Sequence, residues 1–216
     1  MEKLRTGEAA PQVEVIFDRT VADEVNRVRY LCRKSAWYKE NGYKPTYPKA
    51  IQEKLERSED ITEENIRKSV EEEFDSVVSE EKVSQTKEEW GRIQEGFFKN
   101  LKTLGLPIQK EYRISITVYG TGGSYGPPNN VQLNNHANRQ PFVIAHEVVH
   151  LTIEHLIQKY KIDHWTKERM VDLVMNKFFP ENQKLQRNPE HAEQIGEIFE
   201  REFPNIEKVI SEIAKL

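Results

Sequence analysis

Two histidines four residues apart, with a glutamate directly after the first, fall in the segment Ile144-Ala145-His146-Glu147-Val148-Val149-His150-Leu151. On an α-helix, residues i and i+4 stand one above the other on one face, about 5–6 Å apart at Cβ. His146 and His150 can therefore each aim a ring nitrogen at one zinc ion, which takes nitrogen ligands at about 2.0–2.1 Å. Glu147 then falls beside such an ion without being a ligand, where a general base for an attacking water belongs. The same spacing also arises by chance on ordinary helices, so the reading turns on a third ligand and on the elements that would position it.

A catalytic zinc takes three protein ligands and keeps a fourth position open. The extended metzincin pattern is excluded, because Ile153 stands at its glycine and Leu156 at its last histidine. His155 lies about 140° around the helix from His150 and reads as a surface or packing histidine. Downstream, Glu168 and Asp172 are four apart and share one helix face. Antiparallel packing of that helix on the first would set Glu168 against His146 and His150. Asp172 would then be placed to accept the outer N–H of a ligand histidine. The same two acids also read, without any metal, as part of an exposed Lys167-Glu168-Arg169 face near a helix N-terminus.

His146-Glu147-Val148-Val149-His150, then seventeen residues, then Glu168-Arg169-Met170-Val171-Asp172 resembles the gluzincin metallopeptidases, of which thermolysin is the type. The resemblance covers roughly residues 112 to 178. It implies one Zn2+ ion held by His146, His150 and Glu168, with Glu147 as catalytic general base and proton shuttle and Asp172 orienting His146. It implies hydrolysis of peptide bonds in a peptide or protein substrate. It further implies that the strand containing Asn130, Val131, Gln132 and Leu133 is the cleft edge to which an extended peptide adds. Candidates for stabilising the oxyanion are Tyr119, Tyr125, His136 and His164. The alternative expectation is a zinc-binding regulatory or protein-interaction module without peptidase activity.

The elements that must hold these residues are mostly helical. From Thr20, the residues Val21, Val25, Val28, Leu31 and Cys32 recur at helical steps. Thr62 before Glu63 and Glu64 reads as an N-cap. Thr86-Lys87-Glu88-Glu89 reads as a capping box opening a helix through Trp90, Phe97 and Leu101, ended by Gly105. Tyr30, Trp37, Tyr38, Tyr43 and Tyr47 read as packing aromatics rather than a ligand groove.

After Pro107, Ile114, Ile116 and Val118 alternate with polar residues as a strand. The segment Tyr119 to Asn130 holds four glycines and two prolines and reads as a hairpin turn. It lacks the Lys-Ser/Thr of a P-loop and the dinucleotide glycine spacing, which argues against a phosphate cradle. Val131-Gln132-Leu133 then reads as a strand pairing back on the first. Pro141 opens the H-E-x-x-H helix, and a second helix follows from near Asp163 with Val171, Val174, Met175 and Phe178 as its buried stripe. A polar linker at 181 to 189 and two short amphipathic helices complete the chain. The expected fold is α+β and predominantly helical. A mostly helical region over 1–106 precedes a zincin-like catalytic domain over 107–216, where a small antiparallel sheet packs on an active-site helix and a glutamate helix.

Composition narrows the function classes. The 216 residues carry 31% charged and 37% hydrophobic side chains and a formal net charge of −4, which offers no electrostatic footprint for nucleic acid or anionic membranes. The N-terminal residues lack the apolar core of a signal peptide, and no run approaches a membrane span. Cys32 is the one cysteine, so neither an intrachain disulfide nor a cysteine zinc site is available. The expectation is a cytoplasmic protein with no nucleic-acid or membrane partner.

Overall fold

A computed structural model of the protein describes residues 13–182 and 189–216, without the side chains of 76–79. Residues 1–12, where a leader was sought, and most of the linker expected at 181 to 189 lie outside the described residues. Local chemistry starts the first helix, α1 (Val21–Arg33), as expected: the Thr20 hydroxyl accepts from the Asp23 N–H at 3.1 Å, and Asp23 and Glu24 complement the dipole in its first turn. After α2 (Ser35–Glu40) and α3 (Lys49–Glu56), Thr62 and Asn65 cap α4 (Glu63–Glu73) reciprocally. Val25, Val28, Leu31, Ile51, Ile66 and Val70 close this group of helices into its own apolar cluster, which also takes in Tyr119.

The capping box expected at Thr86 is not used. α5 (Ser76–Gly91) runs straight through it, and Thr86 is fully buried, its hydroxyl donating to Gln140 Oε1 at 2.7 Å. The chain breaks instead after Gly91, and α6 (Gln94–Lys102) follows as a separate helix before Gly105, whose φ of +67° suits glycine in that turn. Trp90, Phe97 and Phe98 meet at ring-centroid distances of 5.2 to 6.1 Å, and Phe97 continues to Phe178 at 6.2 Å.

Four strands form one mixed sheet: β1 (Glu14–Asp18), β2 (Glu111–Thr117), β3 (Gly123–Gly126) and β4 (Asn130–Asn134), in the order β1-β2-β4-β3. The expected antiparallel sheet is therefore corrected. β1 and β4 both pair parallel with β2, and β3 alone runs antiparallel, on β4. Residues 131 to 133 do not pair back on β2 as a ribbon, because the glycine-rich segment is itself a strand that intervenes in the chain and covers β4's outer side. Two glycines in a four-residue strand leave no alternating apolar signal by which to find it.

One face of the sheet packs on α7 (Gln140–Tyr160), through Ile114, Ile116, Val131 and Leu133 against Ile144, Ala145 and Val148. α7 begins at Arg139 with Pro141 in its first turn. α8 (His164–Phe178) is capped by Asp163, whose carboxylate accepts from the Trp165 and Thr166 N–H groups at 2.9 and 3.1 Å. α9 (Ala192–Glu202) and α10 (Ile206–Ile213) close over α7 and α8 with Phe199, Ile206 and Ile210. The architecture is α+β and predominantly helical. Among the described residues, no helix is long and apolar enough to cross a membrane.

Strand β1 and the aromatic residues of α5 and α6 come from 1–106, yet they share the apolar core of α7 and α8. Phe97 sits in the middle of that core with no exposed surface. Replacing it with Ala is expected to lower unfolding free energy by about 3–5 kcal/mol in urea titrations; a loss under about 1 kcal/mol would contradict this packing.

Candidate metal centre

α7 and α8 pack against each other, and this sets the Glu168 face against the two histidines. His146 Nε2 and His150 Nε2 lie 3.0 Å apart, and each lies 3.3 Å from Glu168 Oε2. Each of the three residues offers one ligand atom, and these atoms all fall within 4.8 Å of one another. Ligands of a tetrahedral zinc with bonds of about 2.0–2.1 Å stand about 3.3–3.4 Å apart. The donor set, two imidazole nitrogens and one carboxylate oxygen, therefore fits such an ion in spacing as well as in type. Asp172 Oδ1 lies 3.7 Å from His146 Nδ1, on the ring's far side from the cluster. That is the position from which a carboxylate fixes a ligand histidine's tautomer.

Burial governs the electrostatics. His150 is 1% exposed, and burial with the neighbouring His146 charge holds its pKa down to about 4, so it is neutral, the form that ligates. Burial also presses on His146, but the hydrogen bond to Glu168 and the charges of Glu147, Glu168 and Asp172 outweigh it and leave its pKa raised. Burial would push Glu168 up; hydrogen bonds from both histidines instead hold it well below the usual carboxylate range. Glu147 moves the other way, up to about 7, through burial reinforced by Glu168 and opposed by His146, Lys167 and Arg27. Two glutamates on neighbouring helices are thus pushed apart in acidity, one toward permanent charge and one toward proton exchange near neutrality.

The cluster opens on a cavity of about 830 Å³ that α7, α8, β3 and the N-terminal helices line together. Tyr30, Trp37, Tyr38 and Tyr43 form part of its wall, which corrects their reading as packing residues alone. Trp37 stacks on Tyr43 at 5.6 Å, and the Tyr43 hydroxyl meets His164 Nε2 at 3.1 Å. Tyr47 does not line the cavity; its hydroxyl donates to the Leu31 carbonyl at 3.4 Å.

The expected substrate strand is misplaced by one position in the sheet. Asn130, Val131, Gln132 and Leu133 belong to β4, which is hydrogen-bonded on both sides, and Val131 and Leu133 are fully buried in the core. None of the four lines the cavity; Gly123, Ser124 and Tyr125 of β3 do, and β3 is the sheet edge beside α7. Of the oxyanion candidates, Tyr125 and His164 reach the cavity. Tyr119 instead donates to Glu73 at 2.9 Å, and His136 and His155 are exposed outside it.

Tyr125, named from the sequence only as an oxyanion candidate, makes one contact with the cluster that spacing could not reveal. Its ring stacks on His150 at 4.7 Å with planes 10° apart, while its hydroxyl donates to Glu154 at 2.6 Å and accepts from Lys167 at 2.9 Å. Gly123 makes the second. A Cβ there would stand 2.6 Å from both Glu147 Oε1 and Val143 Cγ1, so the β3 backbone lies directly on the Glu147 carboxyl. Comparison with protein-family models, curated proteins and solved structures returns no match to this chain.

Two glycines of β3 separate the effect of this close approach from strand propensity. Gly123→Ala is expected to cost about 1–3 kcal/mol of unfolding free energy by overpacking. Gly126→Ala, where a Cβ meets only Asn130 Cβ at 4.0 Å, should stay within about 0.5 kcal/mol of the parent. Equal costs in urea denaturation would show that β3 does not press on α7.

Proposed function

We propose that this protein is a zinc-dependent metallopeptidase of the gluzincin kind. In this reading His146, His150 and Glu168 hold one zinc ion, and Glu147 is the general base. The supporting observation is the convergence of three ligand atoms within 4.8 Å of one another, beside a second buried carboxyl, that of Glu147, on a cavity lined by the edge strand β3. Bound there, zinc supplies Lewis acidity toward the scissile carbonyl and toward water.

The remaining work falls to the chain. Glu147 Oε1, held under the Gly123 backbone, takes a proton from the attacking water and returns it to the leaving amine. Its burial moves its pKa toward neutrality, which suits both halves of that exchange. Asp172 keeps the His146 Nδ1 proton on the outer side, so that Nε2 presents its lone pair to the cluster. An extended substrate segment adds along the free edge of β3 by main-chain hydrogen bonds. The aromatic wall of Tyr30, Trp37 and Tyr43 offers its side chains an apolar surface. Tyr125 keeps its hydroxyl proton engaged with Glu154, which leaves His164, with its Tyr43 partner, as the oxyanion candidate that lines the cavity.

Metal analysis and peptide hydrolysis test the reading together. The parent should carry zinc at one equivalent and cleave unfolded protein. Glu147→Gln should keep the zinc and lose about 10²–10⁴-fold in kcat. Zinc bound at full occupancy by a parent that cleaves no unfolded protein would move the assignment to a zinc-binding regulatory or interaction module. Glu168→Ala should lose the metal. Asp172→Asn should weaken zinc affinity by about 10–100-fold, measured by competition with a chromogenic chelator; unchanged affinity would remove Asp172 from its role.

A further inference from the structure

Arg27 is the most deeply buried cation of the N-terminal helices, 1% exposed, and its hydrogen bonds go to the neutral side chains of Tyr38, Ser124 and Gln132. Its Nη1 donates to Ser124 Oγ at 2.8 Å and to Gln132 Oε1 at 2.9 Å, and its Nε has no partner. A buried guanidinium without a paired carboxylate is costly, and a purely structural position would be filled better by an apolar side chain. Its placement suggests what is gained.

Ser124 and Gln132 are cross-strand partners on β3 and β4, so one guanidinium spans both strands on the face opposite α7. Along β3 the side chains alternate, as a strand requires. Gly123 and Tyr125 face α7, one against Glu147 and the other stacked on His150, while Ser124 faces Arg27. The chain also closes around the guanidinium from above: a Cβ at Gly120, where φ is +96°, would fall 2.3 Å from Arg27 Nη2.

We infer that Arg27 is a positioning residue for the candidate active site, a strut from α1 that locks the edge strand β3 against Glu147 and His150. It touches neither substrate nor the reacting atoms. It acts through β3, whose inner side rests on the proposed general base and whose outer edge is proposed to receive the peptide. The inference rests on the peptidase reading for its catalytic consequence only; the mechanical consequence stands by itself and is measured separately.

Hydrogen exchange read by mass spectrometry on the full-length, zinc-loaded protein measures the strut directly. Arg27→Met should leave zinc at one equivalent and exchange in β2 unchanged. Amides of 119–126 should exchange at least tenfold faster than in the parent. In the same sample kcat/KM should fall at least tenfold, with the larger part of the loss in kcat, because Glu147 loses its backing and also the Arg27 charge that opposes its protonation. Arg27→Lys, which can reach one of the two acceptors, should recover part of both effects.

Unchanged exchange over 119–126 in a folded Arg27→Met protein would overturn the inference. A uniform rise across all strands, with no recovery in Arg27→Lys, would also overturn it, since that is the mark of general destabilisation. Should Arg27→Met fail to fold, Ser124→Ala decides: faster exchange over 119–126 alone supports the strut, and parental exchange refutes it. A parent that holds zinc and cleaves nothing would refute the peptidase reading, and the exchange measurements would still rule on Arg27.

Discussion

The structure depends on keeping ionisable side chains out of water in one place. Glu147, His150, Glu168 and Asp172 are each no more than 7% exposed, and they stand among Ile144, Ala145, Val148 and Val171, which have almost no exposed surface. An isolated carboxylate in such surroundings either finds a partner or takes up a proton. Glu168 finds partners in two imidazoles, whereas Glu147 is pushed toward protonation. Lys167 Nζ stands 3.9 Å from Glu168 Oε1. A divalent cation, on the reading proposed above, would be held by the two imidazoles and Glu168 and would supply the chemistry.

This constraint explains why the neighbouring elements are so closely fitted. The Tyr125 ring lies flat on His150 while its hydroxyl is satisfied by Glu154 and Lys167. The Glu147 carboxyl needs a ceiling that brings no bulk, and Gly123 provides backbone without a side chain. One short strand therefore serves both groups. Its composition, Gly-Ser-Tyr-Gly, follows from contacts on its two faces rather than from any preference for extended structure.

That origin marks the boundary of what could be read from sequence. The His146, His150 and Glu168 cluster was legible because its elements are helices, where residues four apart share a face whatever the rest of the chain does. Thr62 was legible as a cap, and Thr20 and Asp163 as the places where helices begin, because a helix start is settled within a few residues. Thr86 carried the same local pattern and was misread. The preceding turns from Ser76 were already helical, and its hydroxyl found Gln140, 54 residues away. The edge strand failed for a related reason. Which strand covers β4 is decided by the register of Ser124 on Gln132 and by Arg27, 97 residues upstream of Ser124. No spacing rule reaches across that distance.

The long separations also bear on what the N-terminal helices are for. Strand β1 completes the parallel side of the sheet, α5 and α6 contribute Trp90, Phe97 and Leu101 to the core under α7, and α1 and α2 bring aromatic rings to the cavity wall. The cluster His146, His150 and Glu168 needs only α7 and α8, so the candidate ligand set lies wholly in the second half of the chain. The edge strand and the cavity need both halves. A candidate ligand set carried on two adjacent helices and a cleft lined in part by Tyr30, Lys34, Trp37, Tyr38 and Tyr43 are thus separable in principle, and Arg27, joined to β3 and β4 by two hydrogen bonds, is one of the points where they meet.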